Sequence, residues 1–180
     1  MNIRYQALQN YQYNYKQFRS VLRVNENTLR TWLKRFLTDV GQKKPSGRML
    51  YSGVDCIRTA IFVHLSNRLL INPSLSAEFC KTALKRIHEL LLLTDAEISK
   101  VFGNPTFIVF DELEDINGRN TAPLYFKHKS QKEFSEKYLT GWAQPFIVVP
   151  IDSIFFSIRD KLVSMALLEQ LLPERTTIDL

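Results

Sequence analysis

The chain has 180 residues, 45% of them hydrophobic and 23% charged, which suits one domain or two small ones and excludes wholesale disorder. Six glycines and seven prolines exclude a collagen-like or low-complexity chain, and no apolar run reaches the roughly 18 residues of a spanning helix. The opening Met-Asn-Ile-Arg-Tyr-Gln lacks the apolar core of a secretory signal, so a cytoplasmic protein is expected, with no membrane partner. The net charge of +6 is unevenly spread. Residues 1–70 hold twelve Lys/Arg against three acids, a net +9, and the remaining 110 residues carry −3. A basic segment on a mildly acidic body is the electrostatic footprint of a module that binds a polyanion.

In chain order, Phe18, Val21 and Leu22 stand at i, i+3 and i+4 and predict a short amphipathic helix, with Lys16 and Arg19 on its other side. Asn25 is a candidate N-cap for a second helix from Glu26 to about Leu37. On that helix Leu29, Trp32, Leu33 and Phe36 form one stripe, and Asn27, Arg30, Thr31, Lys34 and Arg35 the other. Two short helices joined by a tight, capped turn make a helix-turn-helix, and Asn, Thr and Arg are side chains that bond base edges and phosphates. The plainer reading is a helical hairpin with a solvated basic face.

Residues 38–51 then read as a loop or small hairpin, with turn chemistry from Gly41, Pro45 and Gly47 and positive charge at Lys43, Lys44 and Arg48 near its tip. Such a hairpin can lie along a sugar-phosphate backbone and give affinity without sequence information. Ser52-Gly-Val-Asp55 is a capping box with Asp in place of Glu. It opens a third helix running to about Leu70, with Val54, Ile57, Ile61, Leu65 and Leu69 inward.

Residues 18–70, about 53 of the 180, resemble the winged helix-turn-helix of the mercury-resistance regulator (MerR) family. The resemblance is carried by Val24-Asn25-Glu26-Asn27-Thr28-Leu29-Arg30-Thr31-Trp32 and by Gly47-Arg48-Met49-Leu50-Tyr51-Ser52-Gly53-Val54-Asp55. It implies that Arg30 and Thr31 face DNA, that Arg48 and Tyr51 hold the wing against phosphates, and that Leu29, Trp32 and Val54 are core. The sequence departs from the family at Arg19, where a small residue is usual, and at Arg23, where Gly is usual. A positive φ at Arg23 would cost roughly 1 kcal/mol. The wing is one residue longer than the shortest family form. The long coiled-coil helix common after the family's DNA-binding part is replaced here by a helix from about Ser76 to Leu93.

Asn72-Pro73 breaks the chain before that helix, which starts at Ser74 or Ser76 and turns Ala77, Cys80, Leu84, Ile87, Leu90 and Leu91 inward. Asp95 to Phe102 reads as one or two further turns. Beyond Gly103-Asn104-Pro105 come three β-rich runs, 106–110, 124–128 and 145–149, with a short helix near 131–139 and a terminal helix from Asp152 to about Leu172. The expected fold class is therefore α+β. A winged helix-turn-helix domain with an amino-terminal arm spans 1–94, and a small three-stranded α+β domain with a long terminal helix spans 105–180, serving dimerisation or ligand or partner sensing. On the terminal helix Ile151, Phe155, Ile158, Leu162 and Met165 fit both a core helix on a sheet and a dimer seam.

Asp111-Glu112-Leu113-Glu114-Asp115 suits either a Mg²⁺ site or a solvated acidic turn, the latter favoured because no partner carboxylate or lysine stands at a telling spacing. His64, His88 and His128 are scattered, and Cys56 and Cys80 read as reduced, half-buried small residues. Tyr5, Tyr11, Tyr13 and Tyr15 suit an arm packing its rings on the first domain, or base stacking. No nucleophile elbow, phosphate loop or metal motif occurs, so no enzyme, catalytic residue, cofactor or metal is expected. The expected function is a sequence-specific regulator of bacterial or phage type that binds double-stranded DNA. Asn27, Thr28, Arg30, Thr31, Lys34 and Arg35 form its DNA-facing helix surface, Lys43, Lys44, Arg48 and Tyr51 its backbone grip, and a homodimer is expected. The alternatives are a DNA-bending architectural or excisionase-like factor, and a protein-interaction or RNA-binding adaptor with a small-molecule or protein effector at its carboxy-terminal part.

Overall fold

The computed structural model describes residues 8–10, 12–93, 97, 100, 101 and 149–165 in full, and the backbone of 106–111, 125–130, 146–148 and 166–171. These residues are mostly helical with small antiparallel sheets, an α+β arrangement. Tyr5, Tyr11, the turn at 112–118 and the short helix expected near 131–139 lie outside them. By contacts the chain divides into two compact units, one up to Ile57 and again from Phe156 onward, the other Arg58–Phe155. This division does not follow the sequence boundary at 94–105, because helices α3 and α5, defined below, each run through a unit border.

In the first unit, α1 (Tyr15–Leu22) begins with a reciprocal capping box: the Asn14 side chain accepts from Gln17 N and Gln17 Oε1 accepts from Asn14 N. Its apolar face, Phe18, Val21 and Leu22, is buried. Arg23 ends it in the left-handed region at φ 55° and ψ 41°, with its N–H on the Arg19 carbonyl. This region of backbone space favours Gly, and an arginine occupies it here. Asn25 caps α2 (Glu26–Arg35), its side chain accepting from Asn27 N at 2.9 Å, and Leu29 and Trp32 are buried beneath the helix.

Two short strands follow, β1 (Gln42–Lys43) and β2 (Met49–Leu50), paired antiparallel with Gln42 opposite Leu50 and Lys43 opposite Met49. Gly47 N donates to the Lys44 carbonyl (2.8 Å) and Lys44 N to the Arg48 carbonyl (2.9 Å), with Gly47 at φ 79°. Pro45 at the second turn position and a left-handed Gly at the fourth make a β-turn closed by a bulge. Gly41, at φ 87°, meets the Tyr51 ring, and a Cβ there would lie 2.9 Å from a ring carbon. Past β2, Tyr51 bridges Tyr13 with paired backbone bonds of 3.0 and 2.8 Å, so the segment before α1 extends the hairpin by one more rung. Tyr13 is buried, which places that ring with the packing reading rather than the base-stacking one.

α3 (Gly53–Val63) opens on the expected Ser52/Asp55 box, with Ser52 N donating to the Asp55 carboxylate (2.9 Å) and Asp55 N to Ser52 Oγ (3.0 Å). Leu8 packs so closely on Gly53 that a Cβ would overlap its backbone. Of the expected inward stripe, Ile57, Ile61 and Leu65 are fully buried, while Val54 and Leu69 are only half-buried. The helix relaxes into a π-helical turn over His64–Arg68 and stops at Leu70, whose φ is 54°.

In the second unit, α4 (Pro73–Leu91) starts one to three residues before the expected point. Asn72 caps it through Ser74 N, and Pro73 occupies the first turn, where its missing N–H leaves no bond unmade. Its buried face includes Ala77, Phe79, Cys80, Ala83, Ile87, Leu90 and Leu91, and Leu84 is half-buried. Cys56 and Cys80 carry reduced thiols that are fully buried, deeper than the sequence reading had them, and the Cys80 thiol donates to the Arg58 carbonyl. Burial, with Asp55 nearby, pushes the Cys56 thiol far above its ordinary range and keeps it protonated. Strand β3 (Thr106–Asp111) lies between β4 (Tyr125–Ser130) and β5 (Phe146–Val149), antiparallel to both. α5 (Ile151–Leu171) follows Pro150 and buries Ile151, Asp152 and Phe155 in the second unit and, past the border, Phe156, Ile158 and Leu162 in the first. No helix among the described residues is long and apolar enough to cross a membrane.

Candidate nucleic-acid interface

α2 has two unlike faces. Leu29 is inaccessible and Trp32 only 8% exposed, whereas Asn27, Arg30, Thr31, Lys34 and Arg35 are exposed and Thr28 is half-buried. The polar residues expected to face a nucleic acid therefore form the solvent side of the helix. Lys34 and Arg35 occupy its last turn, where cations also suit the helix dipole. The Thr31 hydroxyl donates to the Asn27 carbonyl at 2.9 Å, which fixes its rotamer and leaves its oxygen lone pairs outward.

Glu26, in the first turn of α2, is the residue sequence reasoning missed. One carboxylate oxygen accepts from Arg30 Nε (3.1 Å) and Nη2 (2.8 Å), and the other accepts from Arg19 Nη1 across the inter-helix turn. The Tyr15 ring lies under the Arg30 guanidinium, 5.1 Å from centroid to Cζ, and the Tyr15 hydroxyl donates to the Glu26 carbonyl (3.3 Å). Arg19 thus does not crowd the helix crossing, since its side chain runs outward to the carboxylate. Burial, only partly offset by the positive charge of Arg30, raises the Tyr15 phenol above its ordinary value, so it stays neutral at physiological pH. The four-residue spacing of Glu26 and Arg30 was visible in the sequence. The Arg19 contact was not, because it depends on the angle of the turn.

At the hairpin, Lys43 and Arg48 are exposed and Lys44 is half-buried, brought together by the β1–β2 pairing and the turn between them. Tyr51 is a correction. It is 4% exposed, and its ring stacks on Phe18 at 4.0 Å with an 11° interplanar angle, so it supports the hairpin from within and its ring is not open to a phosphate. Burial, with Tyr15 and Asp55 nearby, raises its phenol as well. The cause is the backbone bridge to Tyr13, which turns the Tyr51 side chain toward α1.

Compared with known proteins, the chain matches no protein-family model and no curated protein sequence.

Proposed function

We propose that the amino-terminal part of the first unit, up to Ile57, carries a winged helix-turn-helix of MerR-like type and that the chain is a sequence-specific regulator binding double-stranded DNA. The observation that carries this reading is the solvent-open polar face of α2, with Asn27, Thr28, Arg30, Thr31, Lys34 and Arg35 backed by the buried Leu29 and Trp32. A helix of this composition, free on one side, suits the major groove. Lys43, Lys44 and Arg48 on the hairpin supply charge for the phosphate backbone without reading bases. Tyr51 has a supporting part in this scheme, holding the hairpin to α1. The carboxy-terminal part, with the β4–β3–β5 sheet, is assigned to dimerisation or to sensing a ligand or partner. Two copies on half-sites a helical turn apart add the specificity that one unit lacks.

The test is selection from a randomised duplex library, followed by titration of selected and random duplexes over a salt series. With about six phosphates neutralised per protomer, log affinity falls with log salt at a slope near −5. Arg30→Ala relaxes discrimination among sequences, and Lys44→Ala weakens all duplexes alike. Equal affinity for selected and random duplexes at every salt concentration overturns the proposal.

A further inference from the structure

We infer that Glu26 is a positioning residue that aims Arg30 at a guanine, an inference that rests on the DNA-binding reading above. Glu26 holds the Nε–Nη2 edge of the guanidinium on a single carboxylate oxygen, and Tyr15 lies under one face. Arg19 restrains the carboxylate from the far side. The donors directed away from the carboxylate, on Nη1 and the second hydrogen of Nη2, form the outer end of a side chain that is still 65% exposed. Two parallel N–H donors match the paired acceptors O6 and N7 of guanine. Adenine, with one acceptor and one donor on that edge, cannot take both.

The charge balance points the same way. An acid in the first turn of a DNA-facing helix repels phosphates, and a helix serving affinity alone would bind more tightly without it. Glu26 gives up some attraction and in exchange fixes a long arginine side chain that would otherwise reach phosphates as readily as bases. Its remaining positive neighbours, Arg19 and Arg30, leave the cluster net cationic.

The experiment uses the full chain and its Glu26→Ala, Glu26→Gln and Arg30→Lys variants. The selected duplex is titrated together with single-base changes at each position, beside a random duplex and a thermal melt of each variant. In the wild type, guanine at one position is preferred about tenfold over the other bases. In Glu26→Ala and Arg30→Lys that preference drops below about threefold. Affinity of Glu26→Ala for random duplex stays level or rises about twofold, the opposite of what a loss of fold produces. Glu26→Gln keeps an acceptor oxygen without the charge and gives an intermediate preference, and it carries the test if the alanine variant melts at the assay temperature. Undiminished guanine preference in both Glu26 variants overturns the inference, as does a wild-type motif with no guanine contrast, and both leave the sequence-reading proposal standing. A library from which the wild type enriches nothing overturns that proposal itself and this inference with it.

Discussion

Two of the arginine–carboxylate clusters among the described residues have similar chemistry and opposite setting. In the second unit Arg86 grips Asp152 with two hydrogen bonds, Nε to Oδ1 at 3.0 Å and Nη2 to Oδ2 at 2.9 Å, from side chains 15% and 2% exposed. Glu89 adds a contact to Arg86 at 3.3 Å. Burial works against the Arg86 charge, but the hydrogen bonds and charge of Asp152 outweigh it and hold the guanidinium protonated. In the first unit Arg30 makes a comparable two-point contact with Glu26, yet those side chains are 65% and 41% exposed. Water can replace Glu26 as a partner for Arg30, and little can replace Asp152 for Arg86. The buried pair belongs to the architecture. The exposed one has donors left over for another molecule.

The sharpest way to break this contrast is to remove one member of each pair. Asp152→Ala removes the two-point partner of a largely buried guanidinium and costs about 3–5 kcal/mol of stability, read by urea unfolding. Replacing both partners with apolar residues, Arg86→Met with Asp152→Leu, recovers most of that loss. The next effect in size concerns the turn that brings Arg19 to Glu26. Arg23→Gly relieves the left-handed strain at φ 55° and, after the entropic cost of glycine, raises stability by about 0.5–1 kcal/mol in the same measurement. Glu26→Ala changes stability by less than about 0.5 kcal/mol, since an exposed pair is worth little, and a loss above about 2 kcal/mol would erase the distinction between the two clusters. The smallest effect is pH-dependent. Burial and the neighbouring Arg68 hold the His64 imidazole below its ordinary 6.5, so the unfolded chain takes up its proton first as the pH drops. The His64 contribution is therefore complete above about pH 6.5 and fades as pH falls toward the lowered native value. His64→Gln flattens the melting temperature between pH 7 and pH 5 relative to wild type.

Much of the local structure was readable from residue types. Asn25 as a cap, the Ser52/Asp55 box, the stops before Asn72-Pro73 and the turn at Pro45–Gly47 each depend on bonds spanning two to five residues. On α2 spacing alone placed Leu29 and Trp32 in the core, while Leu33 and Phe36, expected in the same stripe, are half-buried. The sequence was less informative about α3, where an amphipathic stripe was expected but Cys56, Arg58, Thr59 and Phe62 are buried as well. Burial of a polar side chain is decided by what surrounds it, and periodicity carries no record of that. Tyr51 misled for a similar reason: a tyrosine beside a basic loop reads as a phosphate contact until its pairing with Tyr13 turns the ring inward. Asp152 read as the start of a helix and nothing more, because its partner Arg86 lies 66 residues earlier.

By itself the sequence determined the helices, the caps at Asn25 and Ser52, the hairpin turn and the polar face of α2, since these arise from hydrogen bonds and side-chain periods within one or two turns of chain. Tertiary structure alone decided that Glu26 would join two arginines from different helices, and that Asp152 would be buried against Arg86. Those outcomes depend on distances between segments, which are set when the elements pack and water is excluded from between them.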